Sequence, residues 1–183
     1  MIFTETDIEG AFIVDIEPRH DDRGFFARRF DKEEFAARGI TMVIMQSNVS
    51  VTRRRGTVRG LHYQVAPALE SKLVRCTRGS VFDVAVDLRP ASPTHMRWFG
   101  VEMTDHSGRA LYVPEGCAHG FQTLTDDAAI LYDASAAYAP NAVRGVRYDD
   151  PLLRIAWPID VTVVSGQDTA WPWLEEGSPH DPN

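Results

Sequence analysis

The chain has 183 residues, enough for one domain with a substantial core. Its 19 Lys plus Arg against 26 Asp plus Glu give a formal net charge of −7, which excludes a general binder of nucleic acid or of anionic membrane. Cys76 and Cys117 stand far apart without CxxC spacing, and neither a signal-like amino terminus nor an apolar run of about 18 residues is present, so the reading is a soluble cytoplasmic protein without disulfides or zinc.

The first strand-like run is "AFIVDIE", residues 11–17. "DKEEFAARG", residues 31–39, is the one helical segment: Asp31 can cap it, two glutamates occupy its first turn, and Arg38 with Gly39 ends it. Short strand-like runs then follow at "TMVIMQSNVS", "TVRGLHYQ", "KLVRCT", "VFDVAVDLR", "RWFGVEM", "ALYVP", "HGFQTL" and "AILYDAS". Turn signals such as "TRGS", "RPASP", "DHSG" and "PEG" separate several of them. In "VFDVAVDLR" the period is two, with Phe82, Val84, Val86 and Leu88 on one face and Asp83, Ala85, Asp87 and Arg89 on the other. Many short strands with close turns predict a mainly β domain closed as a jelly roll or related barrel, whose mouth holds a ligand. The domain is expected over residues 1–174, and the polar tail 175–183 is set apart as a candidate disordered segment.

Chemistry-bearing residues collect in the strands. "RRRGTVR" puts Arg53, Arg54, Arg55 and Arg59 within seven residues, ordinarily a solvated loop but able to hold a small polyanion. His62 and His119 each lie near a glycine in a strand; either alone reads as a hydrogen-bonded barrel residue, and the two together point to a site. Asp83 and Asp87 share a strand face and could orient an imidazole, Lys72 adjoins an apolar strand, and Tyr132 has a hydroxyl that needs a partner if buried. A barrel could build from these an imidazole base, a cation for a developing oxyanion and a phenol acid, the set for removing a proton next to a carbonyl.

The ordered motifs "DDRGFF", "QSNVS", "RGLHYQ", "KLVRCTRG", "VFDVAVDLRPASPT", "LYVPEGCAHGFQTL", "YAP" and "DDP" followed by "IAWP" resemble those of the dTDP-4-dehydrorhamnose 3,5-epimerase family, from about Asp21 to Asp168. The resemblance implies a cupin-type jelly roll with a few short helices, acting as a homodimer on a nucleotide sugar with no metal and no organic cofactor. It also implies His62 as general base, Asp168 as its carboxylate partner, Tyr132 as proton donor on the opposite face of the sugar, and Lys72 as stabiliser of the enolate. Arg23, Arg59 and His119 match positions that hold diphosphate and sugar oxygens, Gln46 and Asn48 match polar substrate contacts, and Tyr138 matches an aromatic that stacks on the nucleobase. An amino-terminal segment of the family crosses to the other subunit, so Arg23 is expected to serve the partner's cavity.

Arg59 and His62 lie three apart, so Gly60 must permit a kink or bulge if both are to face one cavity. The departures from the family pattern are Arg28, Val143 and Gln167, with Glu70 in place of a usual glutamine and Asp133 in place of a common lysine. They leave open the nucleotide and the sugar, and because a double and a single-position epimerase can share every residue named here, the sequence does not separate inversion at C3, at C5 or at both. Two other readings stand beside this one: a metal-dependent cupin isomerase or dioxygenase using His62 and His119, and a non-catalytic module that binds a sugar nucleotide.

Overall fold

The structure is a computed structural model that describes residues 1–175; from residue 176 the expected polar tail lies outside the described residues. The alternating runs form β1 (Ile2–Glu5), β2 (Phe12–Asp15), β3 (Arg19–Asp21), β4 (Gly24–Phe26), β5 (Gln46–Thr52), β6 (Val58–Gln64) and β7 (Lys72–Arg78). The second half adds β8 (Ser80–Asp87), β9 (Trp98–Thr104), β10 (Ala110–Val113), β11 (Cys117–Thr123), β12 (Ala128–Ala134) and β13 (Val143–Gly145). Two short helices, α1 (Lys32–Ala36) and α2 (Gly166–Ala170), complete the described elements, and none is long and apolar enough to cross a membrane.

The strands pair into a six-stranded sheet ordered β1-β2-β10-β7-β12-β5 and a five-stranded sheet ordered β13-β6-β11-β8-β9, and among the described residues β3 and β4 pair only with each other. Val74, Cys76, Leu111 and Ile130 of the first sheet pack against Val81, Ala85, Met103 and Phe121 of the second, the central layer of the expected jelly roll. On the outer face of the six-stranded sheet, Asp31 caps α1 by accepting from the Glu33 and Glu34 amides. This aims Phe35 edge-on at Phe3 and Tyr112, fully buried, and burying such a side chain contributes about 1.5–3 kcal/mol.

The apolar face of β8 turns away from the barrel interior. Phe82, Val84, Val86 and Leu88 lie under the carboxy-terminal segment, against Leu153, Ile155, Trp157 and Leu174, so this sheet is covered on both faces. Asp83 and Asp87 therefore lie on the inner side, but only Asp83 meets an imidazole. Asp87 accepts from Arg89, Ser92 and Thr94 and holds the turn after its own strand. Burial pushes its carboxyl up, yet these bonds outweigh burial and hold it down at about 2.

The strand predicted from Thr41 begins only at Gln46 and runs on to Thr52. Met42 is buried beside Phe35 and Ile40, which draws residues 41–45 off the sheet edge, and the first ladder bond comes from the Met45 amide to the Ala134 carbonyl. β1, β3, β4, β13 and α2 have three to five residues each, too few to show a period in the sequence.

Candidate active site

Between the two sheets opens a cavity of about 610 Å³. His62 on β6 and His119 on β11 stand directly opposite each other in the ladder, so their side chains share the inner face. Each meets its own carboxylate through Nε2: His62 lies 2.6 Å from Asp168 Oδ1, and His119 lies 2.8 Å from Asp83 Oδ1. Asp168 reaches the strand because Ser165 caps α2, accepting from the Asp168 amide at 3.0 Å, while the Gly60 amide donates to Asp168 Oδ2 at 3.3 Å. Burial pushes the Asp168 carboxyl up, but the bond to His62, its charge, the Gly60 amide and Ser165 together hold it below the usual carboxylate range. An ionised Asp168 favours the His62 tautomer with its proton on Nε2, whose Nδ1 lone pair is then able to accept a proton.

A register shift between His119 and Phe121 sets Arg59 opposite Phe121, so two residues of β6 face one of β11. This is the bulge that the spacing of three requires. Gly60 adopts φ +119°, and a Cβ there would stand 2.6 Å from Gly120 Cα and 2.8 Å from the His119 carbonyl. Gly60→Ala is expected to cost at least about 1–3 kcal/mol through backbone strain alone, read as a lower thermal midpoint, with activity falling as Arg59 and His62 move.

The opposite wall belongs to the six-stranded sheet. Tyr132 on β12 lines the cavity half-buried, and burial first, then the charge of Glu70, push its phenol above the ordinary value despite the opposing effect of Arg59. Lys72, the first residue of β7, spans the gap and donates from Nζ to the His62 carbonyl at 3.2 Å. Gln46 and Asn48 share the inward face of β5, and the Tyr138 amide donates to Gln46 Oε1, holding the exposed Tyr138 ring at the rim. Arg59 Nε is anchored on Thr52 Oγ1 at 2.9 Å. This cavity thus holds a carboxylate-paired imidazole on one sheet and a phenol and an ammonium from the other, arranged for proton transfer beside a developing oxyanion.

The family model of dTDP-4-dehydrorhamnose 3,5-epimerase matches residues 5–176. The chain belongs to this family. It is 44% identical over 164 residues to a dTDP-4-dehydrorhamnose 3,5-epimerase of Sinorhizobium fredii, covering 88% of this chain and 84% of the relative. A dTDP-4-dehydrorhamnose 3-epimerase of Streptomyces niveus is 42% identical over 162 residues, covering 88% and 78%. The crystal structure of the Bacillus anthracis 3,5-epimerase with TDP and PPi bound superposes with a TM-score of 0.90 at 36% identity, covering 94% of this chain and 99% of that one. The jelly-roll architecture of the family is thus the architecture found here.

Of the residues singled out from this family member's sequence, nine line the cavity: His62, Lys72, Tyr132, Asp168, Gln46, Asn48, Arg59, His119 and Tyr138. Arg23 does not. It sits in the turn of the β3–β4 hairpin, exposed and paired with Asp21 at 2.6 Å, because among the described residues that hairpin pairs with no other strand. Among the departures, Val143, Gln167 and Glu70 line the cavity. Arg28 instead pairs with Asp31 at 2.9 Å, and Asp133 points to the other face of its sheet, against Arg75 at 3.0 Å. Among the described residues no three His, Cys, Asp or Glu side chains cluster as a metal site would require.

Three supporting residues escaped the sequence reading. Ser165 lies in "SGQD", whose Ser-x-x-Asp spacing is a helix-cap signature and could have flagged α2. Thr52 continues the polar phase of Gln46, Asn48 and Ser50 on β5. Trp171 packs edge-on to His62, its ring on Gly145, where a Cβ would come within 2.3 Å; no local signal announces it.

Proposed function

We propose that the protein inverts a nucleotide-linked 4-keto-6-deoxy sugar at C3 and C5, using its own side chains for every proton. The observation that carries this reading is that His62, paired with Asp168, and Tyr132 line one cavity from opposite sheets. Simple binding requires no such pairing, whereas inversion needs a proton taken from one face and another delivered to the opposite face.

The 4-keto group acidifies the C–H bonds on both neighbouring carbons. His62 Nδ1 takes the proton, the bonding pair moves into the ring, and the carbonyl oxygen becomes an enolate oxygen that Lys72 receives. Asp168 stabilises the imidazolium. Tyr132 then donates its phenolic proton to the same carbon from the other side, and solvent restores both groups. General acid–base help of this kind is worth roughly 10²–10⁴-fold. Arg59 and His119 hold the diphosphate and sugar oxygens, Gln46 and Asn48 contact the substrate, and Tyr138 stacks on the base.

A homodimer completes this reading. β5 is the edge of its sheet, with Val49 67% and Val51 49% exposed on its outer face, and the nearby residues Val43 and Met45 are also exposed. The β3–β4 hairpin carries Phe25 at 61% and Phe26 at 73% exposure. Covering these side chains with a second copy would let Arg23 serve the partner's cavity. Val49→Asp with Val51→Asp is expected to convert a dimer to monomers in sedimentation; an active native monomer at micromolar concentration would sink the assignment.

The test of the reaction is proton NMR of dTDP-4-keto-6-deoxyglucose in D₂O with chelator-treated protein. Loss of both the C3 and C5 signals is expected. Loss of one marks a single-position epimerase, and exchange that disappears with the chelator revives the metal-dependent reading.

A further inference from the structure

We infer that Glu70 is a positioning residue for the active-site ammonium of Lys72, an assignment that rests on the role of Lys72 proposed above. Glu70 Oε1 lies 3.0 Å from Lys72 Nζ, and the two side chains are only 13% and 10% exposed. The same Nζ donates to the His62 carbonyl at 3.2 Å. Of the three N–H bonds of the ammonium, one is given to the His62 carbonyl, and with Glu70 paired by charge, donor capacity is left for a substrate oxygen.

Geometry makes Glu70 more than a chance neighbour. Ser71, between Glu70 and Lys72, is pinned on both sides: its amide donates to Ser135 Oγ at 2.8 Å and its carbonyl accepts from the Ser135 amide at 3.0 Å. The carboxylate is therefore held at the entry to β7, inside the cavity that His62 and Tyr132 line. A lysine stem has four rotatable carbons, so its ammonium holds one position only where fixed oxygens contact it. Glu70 supplies one such oxygen, and the His62 carbonyl ties the ammonium to the strand of the base. The negative charge of Glu70 also helps keep Tyr132 a phenol, the form that can donate.

Lys72 acts on charge that develops only as the proton leaves, so loss of its positioning belongs in kcat. Glu70→Ala is expected to lower kcat about 10- to 100-fold, the scale of a misplaced reacting group, with KM changed less than roughly threefold. Glu70→Gln keeps an oxygen acceptor at the same reach and is expected to recover most of that loss. On a Lys72→Ala background, Glu70→Ala should add no further loss, because both act through one ammonium. A native kcat in Glu70→Ala, full additivity with Lys72→Ala, or a Gln variant as slow as the Ala variant would overturn the inference. Lys72→Ala alone separates the layers. Its native turnover overturns the reading of Lys72 and this inference with it, whereas a slow Lys72→Ala beside a native Glu70→Ala overturns the positioning role alone.

Discussion

Replacing His62 with alanine is expected to abolish deuterium exchange at both C3 and C5, with a loss of roughly 10²–10⁴-fold as appropriate for a general base. In the proposed reaction one imidazole serves both carbons because both flank the same carbonyl, so the two signals should persist together in the NMR spectrum. Exchange at one carbon at a native rate would mean that a second base operates there, and His119 with Asp83 would be the first place to look. Asp168→Asn supplies the control for cause. It keeps the shape of the dyad but removes the negative charge that fixes the tautomer and stabilises the imidazolium, so it should slow exchange while leaving nucleotide binding intact. The His62 side chain is half-exposed and its strand is held by ladders on both sides, so the alanine variant should unfold near the native temperature.

Tyr132→Phe is expected to separate two events that are coupled in the native enzyme. In the proposed reaction proton removal uses His62 and Lys72 and should survive, so exchange continues; delivery to the opposite face uses the phenol, so inverted product should fall by roughly 10²-fold or more. The measurement is the ratio of deuterium incorporated to product inverted, which should rise far above the native ratio. Equal losses of exchange and inversion would count against assigning the phenol to reprotonation. Burial and the charge of Glu70 raise the phenol above its ordinary value. Tyr132 therefore stays protonated through neutral pH, and inversion should show no alkaline loss from this group below about pH 10. On the acid side, Asp168 is held below the usual carboxylate range, so the loss of activity from its protonation should set in only below the pH at which an ordinary carboxylate titrates.

Much of this could be read before any coordinates, and the reasons are local. The period of two in "VFDVAVDLR" is a backbone property, so β8 was legible; so was α1, whose Asp31 cap and terminal Gly39 act within one turn. Gly60 was legible as a bulge because Arg59 and His62 cannot alternate at a spacing of three, and only a glycine tolerates the φ that results. The family motifs carried Asp168 into the site although it lies 106 residues from His62. The segment 41–45 misled for a physical reason: β-branched and apolar residues favour a strand, but Met42 found a better place beside Phe35.

What the sequence determined by itself was therefore the set of side chains and their alternation, since both depend on residue type and on neighbours along the chain. What only the tertiary structure decided was which face met which. It turned the aspartate side of β8 inward, assigned Asp83 to His119 and left Asp87 to its own turn, set Asp133 against Arg75, carried Arg23 away from its own cavity, and brought Glu70 against Lys72. Those outcomes depend on long-range pairing and on how both faces of a sheet are covered. No local period encodes them, because a strand with an apolar face is equally satisfied by the opposing sheet or by the returning carboxy-terminal segment.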